Sequence, residues 1–377
     1  MCGVRDECRM IKFFDLTKQY QDVGREIEDS VKKVLSSGSY ILGENVRQFE
    51  ESFAEYIGTK YCIGVANGTD AIMLSLKALK AFYDKEETDE IITVPNTYVA
   101  TVEAIVHAGY KPVFVDIDTD TGLMDLNKLE SSITKKTIGI VPVHLYGQCV
   151  DMERLSYIAK KHDVIIIEDA CQAHGASFLE TKAGAWGTAG CFSFYPSKNL
   201  GCMGDGGAIT TNDTQLYEEV LALRDHGQFE KSIHSYIGHN SRLDEIQACI
   251  LNVKLKRLEK YNDNRRKLSW IYSRNFMDSD IEPLEINPDG YAVFHLFVVK
   301  VRNRDKLAGL LKSKDIGCGI HYPVPIHLQP AYKYLGYKKG DFPQAENFCN
   351  EIISLPFYPE MSLSEVSLIC RTILNAE

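Results

Sequence analysis

The sequence contains no run of eighteen or more apolar residues, and its first sixteen residues lack the apolar core of a secretory signal peptide. It has no internal repeat, low-complexity tract or linker-like segment. It also lacks an excess of basic residues, because its formal net charge is −10. A membrane span and a nucleic-acid-binding surface are therefore not expected. We expect a cytoplasmic protein in which residues 1–9 form a loose extension.

CxxC pairs are absent as well, although the chain has eleven cysteines. The odd total and the scattered spacing do not fit a disulfide framework or a zinc site. Small buried thiols in a reducing compartment fit the pattern better. No metal site is predicted.

The chain instead contains an alternation of strand-like and helix-like segments from about residue 60 to residue 210. The segments between the apolar runs carry apolar residues at helical spacing. This alternation predicts an α/β domain with a mainly parallel sheet that is covered on both faces. The predicted strands are KYCIGVAN, EIITVP, KPVFVDI, IGIVPV, DVIIIED, CFSFYP and GAITTN.

The C-terminal third has a different pattern. Residues 241–275 are charged and amphipathic, which predicts one long helix leading from a large domain into a smaller one. An apolar run, a helical segment at 305–314, a proline-rich loop and a final helix at SLSEVSLICRTIL then predict an α+β domain. We place the large domain at 1–255 and the small domain at 256–377.

The first candidate site element is the turn in IGVANGTDAIMLSLKAL. A strand ends at Ala66, Asn67 and Gly68 turn the chain, and a helix begins at Thr69 or Asp70. Free backbone N–H groups and the helix dipole at such a position favour a phosphate group. The same residues also fit an ordinary turn followed by a helix cap.

The second element is the pair Glu168 and Asp169 at the end of DVIIIED. Consecutive side chains on a strand point to opposite faces, so only one carboxylate can face a ligand. A buried carboxylate needs a cationic partner, and a protonated pyridine nitrogen is one. A helix cap or a salt bridge is the alternative.

The third element is SFYPSKNLG, in which Lys198 follows a strand and a proline-stiffened turn. An amine that is partly desolvated at a strand end has a lowered pKa and can form a Schiff base with a carbonyl. The glycines of GCMGDGG, just beyond, allow close backbone approach. A solvated surface lysine is the alternative. Together, the anion site, the carboxylate and the amine meet the needs of pyridoxal 5′-phosphate.

With these motifs the sequence resembles the DegT/DnrJ/EryC1/StrS family of pyridoxal-phosphate sugar aminotransferases. The resemblance covers nearly the whole chain, and it implies the aspartate-aminotransferase-like fold, fold type I. It rests on motifs in this order: SGSYILGENVRQFE, VPNTYVAT, PVHLYGQ, EDACQAHGA, SFYPSKNLGCMGDGGAI, GHNSRLDEIQACIL and HYPVPIHLQPAY.

The resemblance implies two catalytic residues. Lys198 would form the Schiff base with the cofactor and then move the proton during transfer, while Asp169 would keep the pyridine nitrogen protonated. Gln172 would lie near the phenolic oxygen of the ring, although an amide that bonds loop backbone is its alternative role. Relatives that act as dehydratases carry histidine in place of the lysine, so Lys198 favours amino transfer.

The resemblance also implies the other cofactor contacts. Gly68 and Thr69 would bind the phosphate through backbone N–H groups and a hydroxyl, and Ser193 would add a second hydroxyl. Tyr98 would stack on the pyridine face, with core packing as its alternative.

Three further residues and one asparagine are assigned by resemblance alone. Tyr40, Tyr322 and His327 would contact the sugar substrate, although His327 also fits a loop histidine with an internal partner. Asn240 would reach the phosphate from a neighbouring subunit, which implies a homodimer with shared active sites. Taken by itself, Asn240 fits the N-cap of the 241–275 helix.

The implied reaction moves an amino group from L-glutamate to a nucleotide-linked keto sugar. The form of the lysine loop favours a dTDP-3-oxo-6-deoxyhexose, which would give a dTDP-3-amino-3,6-dideoxyhexose and 2-oxoglutarate. A UDP-3-oxo sugar, a 4-oxo sugar, a regulatory member without activity and an unrelated α/β binding module are the alternatives. The diphosphate needs cations, for which the candidates are Arg242, Lys254, Lys256 and Arg257, although a solvated helix face also explains them.

Overall fold

The computed structural model describes residues 10–79 and 89–375. Twelve α-helices lie in these residues: α1 (Leu16–Ser37), α2 (Glu44–Ile57), α3 (Gly68–Ala78), α4 (Val99–His107), α5 (Leu126–Ser132), α6 (Met152–His162), α7 (Thr214–Arg224), α8 (Glu245–Leu255), α9 (Leu258–Phe276), α10 (Arg304–Ser313), α11 (Pro343–Glu351) and α12 (Leu363–Leu374).

The same residues contain fifteen strands. They are β1 (Tyr61–Val65), β2 (Glu90–Thr93), β3 (Lys111–Phe114), β4 (Thr137–Ile140), β5 (Ile165–Asp169), β6 (Ser177–Phe178), β7 (Thr181–Lys182), β8 (Ala189–Ser193), β9 (Gly207–Thr211), β10 (Gln228–Glu230), β11 (Ile233–His234), β12 (Glu282–Pro283), β13 (Gly290–Tyr291), β14 (Phe297–Lys300) and β15 (Ile352–Leu355).

A seven-stranded sheet forms the centre, in the order β1-β9-β8-β5-β4-β2-β3. The pairs among β8, β5, β4, β2 and β3 are parallel, whereas β9 runs antiparallel to both of its neighbours. All seven strands coincide with predicted ones, so the mainly parallel sheet is confirmed.

Helices cover both faces of this sheet, and strand alternation divides the core accordingly. Ile91 and Ile167 face a cluster with α3, α4 and α7, while their neighbours Ile92 and Ile166 face a cluster with α2 and α6. A strand that is buried on both faces does not alternate apolar with polar residues along its sequence. This explains why the predicted strands read as continuous apolar runs.

The C-terminal part contains a smaller antiparallel sheet, β12-β14-β15, packed with α9, α10 and α12. This arrangement is α+β, as predicted. Ile11, at the other end of the chain, pairs with Ile316 and is buried in the same cluster. The domain limits of 1–255 and 256–377 stay a prediction.

The single helix predicted at 241–275 is wrong, because the structure has α8 and α9 with a break at Lys256 and Arg257. The Arg257 N–H bonds the Lys254 carbonyl, which is a tight i→i−3 turn, and the Arg257 backbone has φ −116°. The break directs α8 onto α1 and α2 and directs α9 onto α12. The N-cap of α8 is Asp244, which excludes Asn240 from that role.

The nine cysteines within the described ranges are all free, and seven of them are buried, as predicted for small apolar side chains. Cys2, Cys8 and the predicted extension at residues 1–9 lie outside those ranges. Among the described helices, none is both long enough and apolar enough to span a bilayer.

Candidate active site

A cavity of about 930 Å³ opens where the carboxyl ends of the central strands meet. Residues 67–69, 169–172 and 193–198 border it directly after β1, β5 and β8. Ligands of open α/β sheets bind at this edge. Eight of the eleven predicted site residues line the cavity: Gly68, Thr69, Tyr98, Asp169, Gln172, Ser193, Lys198 and Tyr322.

The turn after β1 places the start of α3 against β8. The helix begins at Gly68, not at Thr69 or Asp70 as predicted, and the Asn67 side chain caps it by accepting the Asp70 N–H at 2.8 Å. A Cβ atom on Gly68 would lie 2.6 Å from the Ser193 Cβ, so no larger residue fits this contact. The first N–H groups of a helix have no intrahelical partner, and here they border the cavity beside Ser193.

The two carboxylates at the end of β5 have separate environments, as strand alternation predicts. Glu168 is fully buried away from the cavity and accepts backbone N–H groups from Gly184, Trp186 and Gly187, with His144 Nε2 at 2.9 Å from it. Glu168 thus stabilises the loop before β8. Asp169 lines the cavity and is the carboxylate available to a ligand.

Two hydrogen bonds orient the Asp169 carboxylate. The Thr101 hydroxyl donates to Oδ2 at 2.7 Å, and the Cys171 N–H donates to Oδ1 at 3.2 Å. Thr101 is on α4 and in turn contacts the Thr97 hydroxyl at 2.9 Å. Thr101 was not among the predicted site residues, and its only signal in the sequence is its place in VPNTYVAT.

Lys198 is held by the turn that follows β8. Its backbone N–H donates to the Tyr195 carbonyl at 2.8 Å. At Gly201 the chain passes close to the backbone of this turn, so that a Cβ there would lie 2.4 Å from the Pro196 carbonyl oxygen. A Cβ on Gly207 would likewise lie 2.4 Å from the Asn67 backbone, which is the close contact predicted for the glycine-rich loop. Desolvation by the surrounding protein lowers the pKa of the Lys198 amine, which favours the neutral, nucleophilic form.

An amide and two phenol rings form the wall next to Asp169. Gln172 accepts the Tyr146 N–H at 2.8 Å, and its Nε2 donates to the Tyr322 hydroxyl at 3.3 Å. The Tyr98 and Tyr322 rings are 5.6 Å apart. Tyr98 is 55% exposed, which excludes core packing, whereas Gln172 both bonds loop backbone and lines the cavity.

Three predicted site residues lie outside the cavity lining of this chain. His327 is buried, with Nε2 3.0 Å from Glu346, which fits the alternative of a loop histidine with an internal partner. Its predicted contact with the sugar stays a prediction. Tyr40 is exposed and donates to the Leu35 carbonyl at 3.3 Å. Asn240 is exposed at a bridge to Asp225.

None of the four cations considered for the diphosphate lines the cavity. Arg242 pairs with Asp225, Arg257 pairs with Glu26, and Lys254 is buried with its amine 2.6 Å from the Gly201 carbonyl. Among the described lining residues, Lys198 is the one lysine or arginine. His295 and His321 also line the cavity, and the sequence analysis missed both.

The cavity's residues fit pyridoxal phosphate. The N-terminus of α3 and the Ser193 hydroxyl suit a phosphate, Asp169 suits a ring nitrogen, and Lys198 supplies an amine with a lowered pKa. A lysine and a carboxylate also occur together in ordinary salt bridges, but this pair is not bonded to each other in the described structure.

Comparison with known proteins settles the family. The model of the DegT/DnrJ/EryC1/StrS aminotransferase family matches residues 21–374. The chain belongs to this family. The predicted membership and enzyme class are thereby confirmed, and aminotransferases of this family use pyridoxal phosphate.

Three relatives align along nearly the whole chain. The dTDP-3-amino-3,6-dideoxy-alpha-D-galactopyranose transaminase of Aneurinibacillus thermoaerophilus is 44% identical, covering 97% of this chain and 99% of its own. The pleiotropic regulatory protein of Geobacillus stearothermophilus is 42% identical, covering 96% of this chain and 97% of its own. The UDP-2-acetamido-2-deoxy-3-oxo-D-glucuronate aminotransferase of Pseudomonas aeruginosa is 38% identical, covering 97% and 100%.

Solved structures agree with this family and confirm the fold. S. venezuelae DesV, in complex with a ketimine intermediate, superposes with a TM-score of 0.94 at 37% identity, covering 97% of this chain and 98% of that one. The PLP form of Spr1654 from Streptococcus pneumoniae has a TM-score of 0.87 at 28% identity, covering 93% of this chain and 95% of that one. The family member described here is thus an aminotransferase of fold type I.

Proposed function

We propose that the protein transfers the amino group of L-glutamate to the 3-oxo carbon of a dTDP-linked 6-deoxyhexose, giving a dTDP-3-amino-3,6-dideoxyhexose and 2-oxoglutarate. The observation that carries the proposal is the position of Lys198, a desolvated amine in the same cavity as Asp169 and the start of α3. Glutamate is the donor that the family resemblance implies.

The residues have separate tasks in this reaction. Bound pyridoxal phosphate supplies a ring that withdraws electrons from the carbon being deprotonated. Asp169, oriented by Thr101, keeps a proton on the ring nitrogen, and the N-terminus of α3 with Ser193 anchors the phosphate. Lys198 Nζ accepts the proton from the α-carbon of glutamate and, in the second half-reaction, returns a proton to the sugar carbon that gains the amine.

Two observations support the choice of a 3-oxo sugar. The lysine loop reads SFYPSKNLGCMGDGG, the form that the sequence analysis associates with amination at C3. The Aneurinibacillus relative is named for a dTDP-3-amino sugar and the Pseudomonas relative for a UDP-3-oxo sugar. The UDP-linked sugar is therefore the second candidate. Neither name refers to a 4-oxo sugar.

A homodimer with shared sites is part of the proposal. One chain offers a single cation, Lys198, in a cavity that must accept a diphosphate, so further cations have to come from outside its described lining. Asn240 lies near exposed apolar side chains that a second copy would cover. These are Phe229, Ile233, Tyr236 and Ile237, the last of which is 98% exposed.

Product analysis tests the reaction. The enzyme is incubated with L-glutamate and a panel of dTDP- and UDP-linked 3-oxo and 4-oxo sugars, and the new amine is located by NMR. We expect amination at C3 of the dTDP sugar, which Lys198→Ala abolishes together with borohydride-dependent attachment of the cofactor. Lys312→Ala, at an exposed position of α10, is the control. Amination at C4, or undiminished turnover by Lys198→Ala, contradicts the proposal, and an inactive wild type that binds cofactor supports a regulatory role.

A further inference from the structure

Residues 292–295 form an irregular segment that side chains hold in place from both sides. It lies between β13 and β14 and ends at His295, which lines the cavity. Every carbonyl in the segment accepts a side-chain hydrogen bond. The donors are Arg266 to Ala292 (3.1 Å), Asn199 to Val293 (2.9 Å), and Arg265 to Phe294 (3.0 Å) and His295 (3.1 Å).

Arg265 is the most unusual of these donors. The residue is 1% exposed, and its guanidinium lies over the Phe14 and Phe357 rings and makes no ion pair with a described carboxylate within 4.0 Å. Burying an arginine is costly unless its N–H groups are satisfied. Here Nη1 donates to the carbonyls of both Phe294 and His295, while Nε is buried without a partner among the described residues. The backbone of His295 is thus bonded to a buried cation.

The His295 ring is 5% exposed, and its two nitrogens differ. Nδ1 is enclosed and has no partner among the described residues, whereas Nε2 is not enclosed and has no bond to a described residue. A buried N–H without a partner is rarer than a buried acceptor without one. The proton therefore belongs on Nε2, which makes this atom a hydrogen-bond donor towards the cavity.

The imidazole is also uncharged. Burial, together with the positive charges of Lys198 and Arg265, holds the pKa of His295 well below its usual range. The other histidines near Lys198 are affected in the same way: burial lowers the pKa of His174 to about 3 and that of His321 to about 4. His295 consequently offers one neutral donor in a cavity where Lys198 supplies the charge.

We propose that His295 determines specificity for the keto sugar by donating its Nε2–H to an uncharged sugar oxygen, a carbonyl or hydroxyl oxygen at or next to the reacting carbon. The inference rests on the proposed function. Carboxylates and phosphates form their strong hydrogen bonds with charged donors, so the glutamate carboxylates and the diphosphate gain less from a neutral ring. The ring shares the cavity with Lys198, which must reach the same sugar carbon.

Two substitutions separate this role from a structural one. His295→Leu removes the donor, while His295→Gln places an amide N–H near the position of Nε2. His162→Leu on α6, outside the cavity lining, is the control for replacing a histidine with leucine. Cofactor content and thermal unfolding are recorded for every variant, so that loss of folding is recognised.

Binding and half-reactions are then measured on the holoenzymes. Calorimetry with dTDP-6-deoxy-D-galactose, which carries a hydroxyl where the substrate is reactive, should show affinity about five- to tenfold weaker for His295→Leu, with most of it restored in His295→Gln. The KM for the keto sugar should rise in parallel. The half-reaction with glutamate alone, followed by cofactor absorbance, should stay within about twofold of wild type.

Unchanged sugar affinity in both variants overturns the inference, and so does an equal loss in the glutamate half-reaction. If His295→Leu does not fold, His295→Gln is compared with His295→Asn, which moves the donor to the position of Nδ1. Equal sugar affinities of these two variants refute a role for a donor at Nε2. A wild type that takes no amino group from glutamate refutes the proposed function itself, and the two failures are thus distinguishable.

Discussion

At the residue scale, the hydrogen bond from Thr101 to Asp169 gives a direct prediction. Thr101→Val keeps the shape of the side chain and removes the donor at 2.7 Å. Because a hydrogen bond to a carboxylate is stronger than a neutral one, we expect kcat to fall about tenfold. Steady-state kinetics with glutamate and the keto sugar measure the change.

The matched control is Thr93→Val, which removes a buried hydroxyl that donates to the Val141 carbonyl at 2.9 Å on β2. It should lower the free energy of unfolding and leave kcat near wild type. A kcat for Thr101→Val equal to that of the control would mean that Asp169 does not depend on Thr101 for its orientation.

The candidate site was partly predictable from single residues. Strand alternation correctly separated Glu168 from Asp169, because alternation is a local property of the chain. Thr101 was missed because it lies 68 residues before the carboxylate that it contacts. The resemblance named His327, yet His321 of the same loop is the residue that lines the cavity. Which of two loop histidines points inward is decided by packing, here by Phe13 and Ser354 against His321.

At the scale of the elements, the contact between α3 and β8 predicts an effect of Gly68→Ala. The added Cβ would lie 2.6 Å from Ser193 Cβ and 2.8 Å from Cys171 Sγ. We expect the free energy of unfolding to fall by about 1–3 kcal/mol and cofactor affinity to fall with it, because relief of the overlap moves the start of α3. Urea unfolding and cofactor titration measure the two effects.

Gly309→Ala is the matched control, since a Cβ at this position in α10 meets nothing within 4 Å. It should raise the free energy of unfolding by about 0.5–1 kcal/mol, because alanine loses less backbone entropy than glycine in a helix. If the two substitutions changed stability alike, the packing account of Gly68 would be wrong.

The start of α12 predicts a pH-dependent contribution to stability. Burial opposes ionisation of Glu365, but hydrogen bonds from the Ser362 N–H and from Lys18 outweigh it and lower the pKa of the carboxyl below 4.5. A carboxyl with a lowered pKa stabilises the folded state above its ordinary pKa, and the contribution is lost as pH falls through the folded value. Glu365→Gln should cost about 1 kcal/mol near neutral pH.

Urea unfolding from about pH 7 to about pH 3 measures this difference, which should shrink towards zero as the wild-type carboxyl is protonated. Glu55→Gln, at an exposed position of α2, is the control and should show little difference at any pH. A Glu365→Gln difference that stayed constant across the range would exclude an electrostatic origin.

The elements themselves were predictable where the pattern is local. All seven strands of the central sheet were correct because each is buried on both faces and reads as an apolar run. The break between α8 and α9 was not, since Lys256 and Arg257 carry no glycine or proline signal. It arises because α8 packs on α1 and α2 while α9 packs on α12, and such contacts leave no local mark on the sequence.

At the scale of the whole molecule, the cavity belongs to both ends of the chain. Phe13 from the N-terminal segment and His295, His321 and Tyr322 from the C-terminal part complete a wall begun by the central sheet. Asn199, next to Lys198, also bonds the Val293 carbonyl. A change in how the C-terminal part packs would therefore alter the reacting site, which strand and helix patterns alone do not reveal.

A mixed dimer tests whether the sites are also shared between copies. If Asn240 serves the neighbouring site, a dimer of one Lys198→Ala chain and one Asn240→Ala chain has one site with both residues intact. Two inactive preparations, mixed in equal amounts and allowed to exchange subunits, should then recover about a quarter of wild-type activity, because half of the dimers are mixed and each has one working site. Activity is measured before and after exchange, and native mass spectrometry of differently tagged chains verifies that mixed dimers form.

Mixing Lys198→Ala with Asp169→Ala is the control, since both residues line the cavity of one chain and no mixed dimer gains an intact site. If the first mixture showed only the average of its two components, Asn240 would act within its own chain or not at all.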